Sequence, residues 1–253
     1  MYSALLVIIY LAFISLGLPD TLLGSAWPQM HIELNASLSS AGIITMIISM
    51  GTVISSLFSD RLNIKLGTGK VTAISVLMTA VALLGFSLSH SFIILCVLAV
   101  PYGLGAGAVD AALNNYVALH YSSKHMSWLH CFWGVGASIG PYIIGTCMAH
   151  GLGWRGGYSV ISVLQFTLTA ALFITLPLWK KVENSENNVI NGNNERTQEE
   201  PRERKAKSLS EVLHIKGVIY ILFAFFCYSA VEQTTTLWCA SYLVLNRSID
   251  SNT

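Results

Sequence analysis

The chain has 253 residues, 53% of them hydrophobic and 11% charged, where an average soluble domain carries about 25% charged residues. That balance excludes an ordinary water-soluble fold, and a formal net charge of +1 excludes the clustered basic face that nucleic-acid phosphates require. The five cysteines all fall in apolar runs with no CxxC or metal-ligand spacing; they read as small hydrophobes, so neither a metal nor a cofactor is expected.

A bilayer core about 30 Å thick needs about 20 apolar residues of helix, and seven runs of that size follow one another. They cover residues 4–28, 38–59, 71–88, 91–119, 128–150, 157–179 and 218–245. Buried strands stop at about 4–8 residues, so the runs predict membrane helices. No Lys or Arg precedes the first run, which is also too long for a cleavable signal peptide. Only Ser89 and His90 separate the third and fourth runs, which predicts a tight helical hairpin.

Between the sixth and seventh runs, residues 180–216 are rich in Asn, Glu, Arg and Lys and almost without apolar residues. Such a stretch cannot bury enough surface to fold alone and reads as a mobile linker, with an amphipathic helix conceivable only at its end, SLSEVLHIKG. The expected organisation is a six-helix bundle over residues 1–179, a charged cytoplasmic linker over 180–216, and a seventh helix with a short tail over 217–253. Lys and Arg number three between runs two and three, one between four and five, and eight between six and seven; the other side has only Arg155 and Arg247. Positive charge concentrates on the cytoplasmic side, so the N-terminus is expected there, in a multi-pass protein of the cell (inner) membrane.

A carboxylate at hydrocarbon depth costs about 2.5–3.5 kcal/mol on insertion scales, and its presence needs a reason. Three stand out. Asp20 lies in LGLPDTLLGSAWP, where Pro19 and two glycines permit a broken helix lining a cavity; the alternative is an interfacial Asp at the outer end of helix one. Asp110 sits near the middle of helix four, with Asn114 at i+4 on the same face and Asn115 and Tyr116 widening the polar strip. It reads as a proton- or sugar-binding carboxylate, or as a hydrogen-bond knot between helices. Glu232 and Gln233 sit mid-helix in span seven, near Thr235, Thr236 and Trp238, an assortment suited to sugar hydroxyls and a sugar face. Low dielectric disfavours the charged form of a carboxyl, which is what proton coupling requires.

Several motif matches mislead. Gly136-Ala-Ser138-Ile-Gly140 fits the nucleophile elbow G-x-S-x-G but lies inside an apolar helical run and precedes Pro141, where the elbow needs a strand, a turn and a helix. The glycine-rich stretches at Gly103 and Gly151 imitate dinucleotide loops without a preceding strand. No enzymatic chemistry is expected. Gly103, Gly107 and Ala111, and Gly136 and Gly140, repeat every four residues, as close helix contact demands. Thr45, Ser49, Thr52 and Ser56 in helix two read mainly as packing residues, and His130 and Trp133 in helix five as structural or cavity-facing.

Five stretches carry a family resemblance: LGLPDTLLGSAWP, SDRLNIKLGTGKV, DAALNNYV, LHCFWGVGASIGP and EQTTTLWCASYLV. Together they resemble bacterial sugar permeases of the major facilitator superfamily, in the group similar to the fucose permeases, over residues 10–245 apart from the linker. The resemblance implies an all-α membrane protein made of the superfamily's N-terminal six-helix bundle plus a seventh transmembrane helix. It implies a cytoplasmic gate at Asp60, Arg61 and Lys65, although Ser56 and Asn63 stand where that motif often has Gly. It also implies proton symport through acidic residues in helices one and four, here Asp20 and Asp110. The helix-five stretch is similar to an antiporter motif as well.

The expected activity is therefore secondary active transport, proton-coupled symport of a sugar or small polar solute by alternating access. A drug-type proton antiporter and a non-transporting fragment or accessory subunit are the alternatives. The candidate coupling and substrate residues are Asp20, Asp110, Asn114, Asn115, Glu232, Gln233, Trp133 and Trp238. The partners are the solute, protons and lipid, with a complementary C-terminal half or second subunit, since helices eight to twelve are missing from what reads as a shortened chain.

Overall fold

The computed structural model describes residues 2–194 and 209–249, which form nine helices and, among the described residues, no strand. These are α1 (Tyr2–Asp20), α2 (Leu22–Glu33), α3 (Ser40–Leu66), α4 (Thr68–Leu88), α5 (Phe92–His120), α6 (Ser123–Ala149), α7 (Gly153–Asn194), α8 (Leu209–Leu213) and α9 (Val218–Arg247). Counting α1 and α2 as one span, Ala4–Glu33, seven stretches are long and apolar enough to cross a membrane. The all-α membrane fold expected from the seven runs is the fold observed.

Four boundaries lie five or more residues from expectation, among them the end of α3 at Leu66 in place of residue 59 and the start of α6 at Ser123 in place of 128. The first span continues past Pro28 to Glu33, because a proline removes one N–H without ending a helix whose neighbours can serve the freed carbonyl. The sixth helix runs on to Asn194, so helix covers the first part of the stretch read as a linker. Residues 195–208 lie outside the described residues, and α8 falls within the SLSEVLHIKG end where a helix was conceivable.

The helices pair in a pattern that survives exchanging spans one to three with spans four to six. The first span packs on α6 as α5 packs on α3, and α4 packs on α7. Backbone contact at the two equivalent crossings needs the glycines spaced every four residues. A Cβ on Gly103 or Gly107 would run into the backbone of Ile48 or Thr52, and one on Gly136 or Gly140 into that of Ile14 or Leu18. Lipid is as apolar as a Leu side chain, so such close packing, with hydrogen bonds, is what holds membrane helices together. Thr52 Oγ1 donates to Gly103 O at 3.3 Å and Ser56 Oγ to Gly107 O at 3.2 Å, which gives these two helix-two hydroxyls the packing role expected of them.

Prolines leave carbonyls four residues upstream without a helical donor, and two of these are satisfied across helices. Pro19 frees Ser15 O, which accepts from Gln165 Nε2 of α7; Ser15 Oγ in turn donates to Gln165 Oε1. Pro141 frees Ala137 O, which accepts from Thr21 Oγ1 at 2.9 Å. Both knots flank Asp20. GASIG lies inside the continuous helix α6, while Gly151 and Gly153 take φ of 77° and 62° in the turn that starts α7. Neither stretch has the strand that an elbow or a dinucleotide loop would need.

Candidate functional site: a cleft around Asp20

Asp20 is the last residue of α1, and the helix is interrupted only at Thr21, whose backbone stays near helical (φ −101°, ψ −5°), before α2 begins at Leu22. The 12 residues of α2 follow, a rise of about 18 Å, so Asp20 lies well inside the span and away from its end. Its carboxylate is open to a cleft and holds two donors. Trp133 Nε1 of α6 donates to Oδ2 at 2.9 Å, and the Tyr102 hydroxyl of α5 donates to Oδ1 at 3.3 Å. Donors from two different helices fix the carboxyl's orientation.

Asp110 is half-buried on α5 and accepts from Asn114 Nδ2 at 2.9 Å, the i+4 pair that the sequence spacing implies. His130 of α6 lies within electrostatic reach of Asp110; its ring stands edge-on to Phe13, with centroids 6.0 Å apart. Both Asp110 and Glu232 lie within electrostatic reach of Asp20. The three carboxylates that stood out in the sequence therefore share one region, bounded by the first span, α5, α6 and α9.

Other candidates are placed elsewhere. Asn115 is exposed and its Nδ2 reaches Asp60 Oδ1 at 3.5 Å, which groups it with the Asp60 end of α3 and not with Asp20. Asp60, Arg61 and Lys65 are all exposed there, with the Arg61 guanidinium 5.9 Å from the Phe58 ring centroid. Gln233 is exposed and Glu232 half-buried. Trp238 packs, partly buried, against the apolar cluster that contains Leu22 and Trp27.

Sequence reasoning passed over Tyr102 and Gln165. Each is a polar side chain within an apolar span, buried to 5% and 2% exposure, and the depth argument applied to carboxylates would have found both. It also passed over Glu33, Trp154 and Arg155, which meet at the end of the bundle where α2 stops. Their signal was weak because in the sequence each falls between two apolar runs, where charge and polarity are commonplace, although the structure puts Glu33 at the end of α2 and the other two in the first turn of α7.

Chemically, the cleft offers a carboxylate whose two fixed donors can be traded for others, a second carboxylate with its own amide, and an indole edge. That set can hold a proton or the donors of a small polar solute. Residues 9–250 match the Major Facilitator Superfamily. An uncharacterized transporter, y4wD, of Sinorhizobium fredii is 25% identical over 116 residues, which are 45% of this chain and 31% of that protein. Synaptic vesicle glycoprotein 2B of Rattus norvegicus is 24% identical over 178 residues, 68% of this chain and 26% of that protein. Both matches span less than a third of the relatives' own length. With seven membrane-length helices and a family match over nearly its whole length, the chain belongs to the Major Facilitator Superfamily.

Proposed function

We propose that the chain serves proton-coupled symport of a sugar or similar small polar solute by alternating access, with Asp20 or Asp110 carrying the proton. The observation that carries this reading is the setting of Asp20. It sits at a helix irregularity inside the span, exposed, held by Trp133 and Tyr102 and within reach of Asp110 and Glu232. Ionisable groups kept at that depth are functional more often than structural. The relative described as a transporter supports the same reading. The partners are the solute, protons and a second bundle or subunit that covers α9, along which Gln233, Thr234 and Thr235 are exposed. Residues 1–179 act as one bundle and 217–253 as the start of its counterpart, in the cell membrane with the N-terminus cytoplasmic.

The test is solute-driven proton movement in proteoliposomes carrying the full chain, followed with a pH-sensitive dye. Symport predicts that adding solute alkalinises its own side, and that Asp20→Asn or Asp110→Asn abolishes the signal while solute binding, read by quenching of Trp133 fluorescence, persists. Proton movement of the opposite sign would establish the antiport reading, which the similarity of Gly136 to Pro141 to an antiporter motif favours. Binding without any proton movement would overturn coupling.

A further inference from the structure

At the end of α2, the Glu33 carboxylate accepts from Trp154 Nε1 at 3.0 Å and pairs with the Arg155 guanidinium. Arg155 also donates through Nε and Nη2 to Ser89 O, at 3.3 and 3.1 Å, and stacks on the Trp154 ring at 4.2 Å from its centroid. One residue cluster thus ties together α2, the α4–α5 loop and the start of α7. An isolated surface ion pair contributes little, but here each partner has at least one further bond. Arg155 and Arg247 are also the only Lys or Arg on the side that charge counting places outside.

Two paths lead from this cluster toward Asp20. One is α2 itself, which begins two residues after Asp20 and ends on Glu33. The other is a column of rings. Trp154 meets Tyr158 edge-on at 6.0 Å, Tyr158 meets Phe86 at 5.6 Å, and Phe86 stacks on Tyr102 at 6.4 Å. Tyr102 then donates to Asp20. All four rings are buried, and at interior packing density one cannot tilt without displacing the next.

We propose that Glu33, Trp154 and Arg155 form a latch that holds α2 in place, and that Tyr102, Phe86 and Tyr158 couple its opening to the loss of Asp20's donors. When a proton takes over the Asp20 carboxylate, Tyr102 loses its charged acceptor and the column its anchor; α2 then tilts about the irregular turn at Thr21. This rests on the reading of Asp20 as a proton-carrying group.

The test measures how fast a charged methanethiosulfonate labels Ser25→Cys on α2, with the five native cysteines replaced, in right-side-out and in inverted vesicles. Glu33→Gln and Arg155→Gln are expected to speed labelling about fivefold or more, the lower range of measured site-to-site coupling, and from one face only. The exchange Glu33→Arg with Arg155→Glu should return the rate to that of the parent. Combined with Asp20→Asn, Glu33→Gln should depart from the product of the single effects, and Tyr102→Phe, which keeps the ring, should restore independence. Unchanged labelling in both latch variants, or failure of the charge exchange to restore the rate, would overturn the latch; strictly multiplicative effects would overturn the coupling. The readout needs no solute. Coupling intact without proton movement would therefore sink the transport reading alone, and the converse the latch alone.

Discussion

Asp20 holds two donors from two helices, and a hydrogen bond to a charged group contributes about 1.5–3 kcal/mol. Tyr102→Phe removes one of them without changing the ring's volume. The expected outcome is a loss of about tenfold or more in solute-driven proton movement, with the thermal midpoint in detergent little changed, because the packing of the ring remains. Glycines offer a second test at the same scale. Gly136→Ala drives a Cβ into the Ile14 carbonyl, with Ile14 C and Leu18 N at 2.9 and 3.0 Å, whereas nothing lies within 4 Å of a Cβ on Gly145. The first substitution should lower stability by about 1–3 kcal/mol, as overpacking does. The second should be neutral or raise it by up to about 1 kcal/mol, the helix propensity of Ala over Gly. Thermal unfolding in detergent checks both.

The broken first span is stable because the carbonyl that Pro19 strands is served by a side chain from α7. Gln165→Leu leaves both Ser15 O and Ser15 Oγ without their partner, which should cost about 1–3 kcal/mol for each buried group left unsatisfied. Pro19→Ala supplies an N–H to the same carbonyl, so Gln165→Leu should cost distinctly less in that background. A double-mutant cycle on the unfolding midpoint reads the difference; equal costs in both backgrounds would show that the proline is not why Gln165 is needed. Glycine spacing and proline position were visible in the sequence. Which side chain would answer each freed carbonyl was not, since Gln165 and Ser15 are 150 positions apart and no local pattern links them.

Across the whole molecule, the exchange symmetry of the helix pairs places Asp20 of span one and Asp110 of span four in equivalent elements, and the two lie within electrostatic reach of each other. Charge counting makes a prediction at this scale too. An impermeant thiol reagent added to intact cells should label a cysteine at Leu152, in the α6–α7 turn, and spare one at Ser122, between α5 and α6; the reverse pattern would invert the protein in the membrane.

Composition and run length by themselves determined the membrane fold and its seven spans, because a hydrocarbon core imposes one length and one polarity on every segment that crosses it. They also singled out Asp20, Asp110 and Glu232, since charge at that depth is costly wherever it occurs. The tertiary structure alone decided which groups meet: Tyr102 and Trp133 on Asp20, Asn115 on Asp60, and Glu33 on Arg155. Those pairings depend on how helices cross, and crossings are set by backbone approach at a few glycines and by long-range hydrogen bonds that leave no periodic mark in the sequence.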